Sequence, residues 1–414
     1  MVPTFLLLKK LSKTQLQPLF KGGKEENGAV EKTWTESELK ANGFMDHVVS
    51  EGWTIAIEAK WDDEYWNDPE LPNVSPDRCQ RPDRDPGLED VQDAGVLVKI
   101  VSVGFFEDPN SWTKEQKEQA ESLLELFCHV RYFAGAGANS NGPWLRGGKH
   151  GLMQAAGWRK ATEAYFAVGS YAEQKKSGYA PKNSSGGKLG EIDFNKDSEL
   201  KTLVHQMWAS KFSRFYPGAF SKNVREAAEM QLPGWGDTTT LSSSILKQVF
   251  AGNLTISHSG FCNIMHKDKD VKCFTTSGCW INTVHDQMMS EGMTCPIVGG
   301  NFAMPEYSLV WDFSKCRGLC WLTWNGPETW HMTTAFENFE EVNRNGGWDR
   351  YGSSSQVAES LANVVKKYHA GDFGEEKVHG DTVRRAEAAE RQETAEAKKF
   401  GKGNKVRKGK KGKK

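Results

Sequence analysis

From Asn253 onward the chain consists of short runs rich in Thr, Val, Ile, Phe and Trp with turn residues between them, a pattern that predicts strands. Upstream the texture is mixed. Two strand-like runs, over 53–58 and 95–101, flank a charged, proline-rich loop over 69–86. Leu123, Leu124, Phe127 and Val130 recur at helical spacing behind a polar first half, which predicts a helix over 114–130. Further helices are expected over 199–215 and 356–368, and an alanine- and charge-rich one, solvated on all sides, over 381–399. Residues 1–50 read as peripheral. These elements predict an α+β protein in three parts: an N-terminal α/β extension over 1–250, a strand-rich core over 251–370, and a charged helix with a basic tail over 371–414.

No run approaches the roughly 20 apolar residues of a membrane span, so no membrane partner is expected. The apolar start over 2–8 lacks a leading basic region and a small-residue cleavage site, so it does not read as a signal peptide. Eight cysteines in 414 residues are too sparse for a disulfide scaffold and are expected as reduced thiols in an intracellular, monomeric protein. Charge is uneven. The net charge of −1 includes ten basic and no acidic residues from Lys398 on, which leaves a body of net −11. A Gly/Lys tail of this kind stays solvated, and suits a nuclear address or a loose tether to nucleic acid.

Two patterns point away from other chemistry. The Gly-rich run from Gly135 follows a helix-like segment and opens no helix, so it is a poor dinucleotide loop. The spacings of Cys273 with Cys279 and of Cys316 with Cys320 lack zinc-site geometry and read as buried thiols. Trp144 and Trp158 lie among Arg146, Lys149, Arg159 and Lys160, an aromatic and basic interleaving that suits either nucleic-acid contact or surface packing.

His266-Lys267-Asp268 carries the chemistry. It follows a strand-like run over 253–259, and alternate residues of an extended chain face one way, so His266 and Asp268 share a space. His331 closes a strand-like run that begins at Gly318 and is expected beside the strand of Arg350. Two histidines and a carboxylate form the facial set that holds Fe(II) with positions left open for cosubstrate and O2. His258 and His285 are the rival histidines. Arg350, Gly352 and Ser354 share a strand face. They supply a fork for the distal carboxylate of 2-oxoglutarate, room at the backbone and an assisting hydroxyl; Arg344 is the alternative arginine.

The stretch over 253–356 resembles the double-stranded β-helix (jelly-roll, cupin-like) core of Fe(II)/2-oxoglutarate dioxygenases. It is similar in particular to the TET/JBP group, in its fungal (basidiomycete), transposon-associated branch. The carriers are His266-Lys-Asp268, the run from Gly299 to Phe313, Trp330-His331-Met-Thr-Thr, and Arg350-Tyr-Gly-x-Ser-x-Gln, with Gly157-Trp158-Arg159 upstream. The resemblance implies oxidation of a methylated base in double-stranded DNA, with the base flipped out of the helix. 5-Methylcytosine would pass to its hydroxymethyl, formyl and carboxyl derivatives. N6-methyladenine, the alternative, would lose its methyl as formaldehyde. Asp270 and Gln356 share the faces of the metal and arginine residues and are candidate readers of the base edge, with Trp158 and Arg159 as further candidate DNA contacts. The rivals are a non-enzymatic DNA- or chromatin-binding module and the same chemistry on protein or RNA.

Overall fold

The computed structural model describes residues 3–20, 24–25, 28–29, 33–59, 98–133, 151–160, 168–170, 194–237 and 248–373. Among these, the N-terminal half supplies strands β1 (Thr4–Leu8), β2 (Lys24–Glu25), β3 (Gly28–Ala29), β4 (His47–Val49), β5 (Trp53–Ala59), β6 (Val98–Phe106), β7 (Leu152–Lys160) and β8 (Val168–Ser170). The C-terminal half supplies β9 (Asn253–His258), β10 (Thr276–Val284), β11 (Gln287–Met288), β12 (Phe302–Met304), β13 (Leu309–Trp311), β14 (Cys320–Trp324), β15 (Met332–Thr333) and β16 (Trp348–Gln356). The helices are α1 (Gln17–Phe20), α2 (Glu36–Ala41), α3 (Lys114–Phe133), α4 (Phe194–Phe215), α5 (Pro217–Glu229), α6 (Phe339–Gly346) and α7 (Glu359–His369).

The architecture is α+β. A large mixed sheet runs β1-β5-β6-β14-β10-β16-β9-β7-β8, with β11 paired to β10, and a small sheet runs β15-β12-β13-β4. Because β6 pairs with β14 and β7 with β9, residues on both sides of position 250 build one continuous sheet. The described residues of the N-terminal fifty reach both sheets, where they were expected to be peripheral. β1 extends the large sheet, and β4 lies parallel to β13 in the small one.

Strand β10 shows why the sequence folds this way. All its residues except Val284 are buried, because it is covered on both faces. Cys279 and Ile281 point to an aromatic core under α3, α4, α5 and α7, with Phe127, Trp208, Phe220 and Leu361. Trp280 points the opposite way, into a second core shared with Phe302, Trp311 and Phe313 around the small sheet. The expected helices over 114–130 and 199–215 are present, the second beginning earlier, at Phe194. The helix expected from 356 begins at Glu359, because Gln356 still pairs with Asn253 in the sheet. The loop over 69–86, the Gly-rich run over 135–150, Trp144, the helix over 381–399 and the basic tail lie outside the described residues.

Candidate metal centre and cosubstrate pocket

β9 ends at His258, and the next two residues, Ser259 and Gly260, both have positive φ, so His266 does not continue that strand directly. The chain becomes extended again at His266, which exchanges two backbone hydrogen bonds with His331, each 3.0 Å. This bridge is what brings the distant histidine in. Asp268 is fixed in turn by its amide, which donates to the carbonyl of Gly326 at 3.0 Å. The three side chains then converge: His266 Nε2 lies 3.5 Å and His331 Nε2 3.4 Å from the two Asp268 oxygens. One ligand atom from each lies within 4.8 Å of the others, and no other such group of three occurs among the described residues.

Each histidine is oriented by its other nitrogen, His266 Nδ1 on the carbonyl of Ile264 at 2.8 Å and His331 Nδ1 on that of Thr329 at 2.9 Å. With a carbonyl at each Nδ1, that atom is the donor and Nε2 is left to a metal. Phe302 stacks on His331 and Trp324 meets it edge-on, so the ring is held on its apolar sides as well. Burial would raise the Asp268 carboxyl, but positive charge at the two imidazoles, His331 foremost, outweighs it and holds the group well below the usual carboxylate range; a metal at the two Nε2 atoms would supply that charge in their stead. The same carboxylate raises His266 against the effect of burial. Two imidazoles and an ionised carboxylate, oriented in advance, are the donor set that Fe(II) takes in facial sites.

His331 does not arrive beside the strand of Arg350, as the sequence led us to expect. β10 separates β14 from β16, and the turn at Asn325-Gly326 carries the chain across to the small sheet before His331. Gly326 is a site residue that sequence reasoning missed: a Cβ there would stand 2.4 Å from Asp268 Oδ2. Neither His258 nor His285 joins the group of three, and His285 is exposed just after β10. His258 is buried against Gln154 and Ser259, and burial pushes it down to about 3.

Arg350 is 3% exposed and packs between the rings of Phe313 and Phe336. Its Nε donates to Asn282 Oδ1 at 2.7 Å, and its Nη1 donates to the Gly299 carbonyl at 2.6 Å and to Asn301 Oδ1 at 2.8 Å. Its Nη2 is buried with no partner, and no carboxylate lies within ion-pair distance of the guanidinium among the described residues. A buried cation with one nitrogen unspent fits a carboxylate ligand, because leaving it so is costly. Gly299 and Gly300 have φ of +84° and +67°, and a Cβ on either would collide with Ala335 or Phe336, so this turn requires both glycines. A line of rings, from Phe302 on His331 through Trp280 to Phe313 under Arg350, joins the arginine to the metal end.

The other expected site residues fall in different places. Arg344 is exposed on α6 beside Glu340, which removes it as the buried carboxylate partner. Ser354 does share the Arg350 face, yet four residues of strand span roughly 13 Å. Its hydroxyl meets Thr255 and Gln356 instead, so it does not assist Arg350. The space at Gly352 is filled by Trp280 and Ser257, not kept for a ligand. Trp158 is 1% exposed, with its indole N–H on the carbonyls of Gly234 and Asp237, so it anchors the helix-side core and is closed to DNA. Arg159 is half-buried and donates to the Lys160 carbonyl. Asp270 is buried, its Oδ2 has no partner, and it lies close enough to Asp268 for the two carboxylates to repel.

Among known proteins, the match that bears on this donor set is to a family model. No curated protein matches the chain. A solved structure described as "The structure of OsALKBH1" aligns over 62% of this chain and 96% of its own at 11% identity, with a TM-score of 0.24. The model of the Tet-like 2OG-Fe(II) oxygenase superfamily matches residues 113–336, a span that includes His266, Asp268 and His331. With that span covering more than half of the chain, the protein belongs to the Tet-like 2OG-Fe(II) oxygenase superfamily and is an Fe(II)/2-oxoglutarate-dependent dioxygenase.

Proposed function

We propose that this dioxygenase oxidises the methyl group of a base flipped out of double-stranded DNA, with 5-methylcytosine as the preferred substrate and N6-methyladenine as the second. Bound iron with 2-oxoglutarate and O2 supplies the oxidising chemistry, releasing succinate and CO2. The protein's residues do the rest. His266, Asp268 and His331 hold the metal, Arg350 takes the distal carboxylate of 2-oxoglutarate through Nη2, and the closely packed rings between them keep the pocket dry. We read the two facing sheets as the double-stranded β-helix of the wider oxygenase class, with the fungal TET/JBP branch as the nearer kin.

The observation that carries the substrate reading is Asp270, a buried carboxyl with an unpartnered oxygen two residues from a metal ligand. An exocyclic amine, present on both cytosine and adenine, would satisfy it, whereas a bare methyl group would not. A basic rim supports the same reading in an acidic body. Lys269 and Lys272 are exposed on the metal loop. The hydrogen bond from Lys99, with Lys267 and Lys272 nearby, holds Glu328 below its usual range. Gln356 stays a candidate base reader, and the basic tail a nuclear address and loose DNA tether.

The test is succinate release with duplex oligonucleotides carrying either methylated base, with products read by mass spectrometry. Oxidised 5-methylcytosine is expected in excess over demethylated adenine. Asp270→Ala should depress oxidation of both bases while leaving 2-oxoglutarate affinity unchanged. Turnover on methylated protein or RNA with neither DNA base oxidised would sink the reading.

A further inference from the structure

Asn301 decides which donors of Arg350 remain for a ligand, and the structure shows what decides the orientation of Asn301. Its side-chain oxygen accepts from Arg350 Nη1 and from the amide of Phe313, both at 2.8 Å. Its Nδ2 donates to Glu36 Oε1 and, at 2.9 Å, to Asp312 Oδ1. An amide has no intrinsic preference for which end faces which neighbour; its partners set that. Here two carboxylates take both amide hydrogens. Turned over, the NH2 would face two N–H donors and the oxygen would face two carboxylates. Asn282 is held by the same logic, its Nδ2 donating to the carbonyls of Phe313 and Cys316, which leaves its oxygen to Arg350 Nε.

Asp312 is shared, since the Ser314 amide and hydroxyl also donate to it. Glu36 comes from outside the family-matched span, on the first turn of α2, 314 residues before Arg350. Its segment is seated on the pocket wall. The Ala335 amide donates to the Trp34 carbonyl at 2.8 Å, and Thr334 and Ser37 add side-chain hydrogen bonds to Glu36 and Glu337. Phe336, which packs over the guanidinium, lies between those contacts.

We propose that Glu36 is a positioning residue for the cosubstrate: by accepting from Asn301 it fixes the amide that directs Arg350 Nη2 at the distal carboxylate of 2-oxoglutarate. The N-terminal segment is thereby part of the cosubstrate pocket. The inference rests on Arg350 holding that carboxylate, so the experiment must fail differently for the two.

Calorimetric binding of 2-oxoglutarate to zinc-loaded protein, with zinc as a redox-inert stand-in, separates them. Glu36→Met keeps the length of the side chain and removes the acceptor; Glu36→Gln keeps an acceptor oxygen and removes the charge. The Met variant should bind 2-oxoglutarate about tenfold more weakly, with zinc affinity unchanged, and the Gln variant should stay within about threefold of wild type. Wild-type affinity in E36M, beside a crippled Arg350→Ala, overturns the role of Glu36 alone. Wild-type affinity in Arg350→Ala overturns the reading of Arg350 and this inference with it. Equal weakening in E36M and E36Q shows that charge matters and not the acceptor, which also overturns it. Should E36M fail to fold, Asn301→Ser carries the test, since its hydroxyl cannot span both partners. The same tenfold loss is expected there, and unchanged affinity in folded N301S overturns the proposal.

Discussion

At the metal end, two of the three ligands are two residues apart and the third is tied to them by one pair of backbone hydrogen bonds. At the arginine end, the groups that set one guanidinium come from Glu36, Asn282, the Gly299–Asn301 turn, Phe313 and Phe336, on separate stretches of the chain. The metal end is held by local backbone pairing. The arginine end depends on both sheets and the N-terminal segment being in place at once. Damage should therefore be confined to chemistry at the first end and should spread through packing and cosubstrate affinity at the second.

The largest effect tests the locality of the metal end. Asp268→Ala and His331→Ala should each reduce turnover to background and abolish stoichiometric Fe(II) binding. The His266–His331 bridge is made by backbone atoms, so far-ultraviolet circular dichroism should remain that of wild type. A folded His331→Ala enzyme with full activity would remove His331 from the site.

Next is the arginine end. Leaving a buried charged group without its partner costs about 3–5 kcal/mol, roughly two to nearly four orders of magnitude in affinity. Arg350→Ala should raise the KM for 2-oxoglutarate by about that much. It should also lower the melting temperature, because Asn282, Asn301 and the Gly299 carbonyl lose a shared partner. Arg344→Ala, on the exposed face of α6, should change neither. A normal KM in Arg350→Ala would separate the two ends altogether.

The same contrast explains what could be read from the sequence. His-x-Asp encodes its geometry in two residues of extended chain, so the pair could be read directly, and Arg350 stood out because few other roles suit an arginine inside a strand-rich core. Nothing local in Glu36 or Asn301 marks them, since Glu36 reaches Asn301 across 265 residues and Asn301 reaches Arg350 across 49. Ser354 was misjudged because sharing a face does not bring two residues into reach, and Trp158 because aromatic and basic interleaving looks alike in a core and on a surface. Gly326 did leave a trace, in the turn signal Asn325-Gly326-Pro327, but a turn signal does not say which carboxylate passes over it.

Gly326→Ala tests that last point. A Cβ 2.4 Å from Asp268 Oδ2 and 3.0 Å from Thr276 Oγ1 forces the carboxylate to shift, and the carboxylate is a metal ligand. Changes beside a ligand cost about 10–100-fold in metal affinity. Fe(II) binding should weaken about tenfold, while 2-oxoglutarate affinity and the melting temperature change little. A large fall in melting temperature with unchanged metal affinity would make Gly326 a packing residue.

The smallest effect concerns a histidine outside the metal end. His258 sits in β9, its Nε2 2.7 Å from Gln154 Oε1 and its Nδ1 2.7 Å from Ser259 Oγ. Burial, reinforced by the nearby Arg131 charge, pushes it from 6.5 down to about 3. The sign follows from linkage. Between those values the unfolded chain binds a proton that the folded protein refuses, so the stability His258 contributes is complete above pH 6.5 and drains away as pH falls toward 3. At pH 5 the loss is about 2 kcal/mol from this residue. His205, pushed down to about 4 by burial, adds a loss of the same sign. His258→Gln keeps hydrogen-bonding groups and cannot be protonated, so its urea-unfolding free energy should fall less than that of wild type between pH 7 and pH 5, by about 2 kcal/mol. The variant begins from lower stability at pH 7, because a shorter amide cannot reach both partners as the ring does. Parallel curves for the two proteins would mean that His258 accepts its proton without cost in the folded state, despite its burial against Gln154 and Tyr351, and would overturn the prediction.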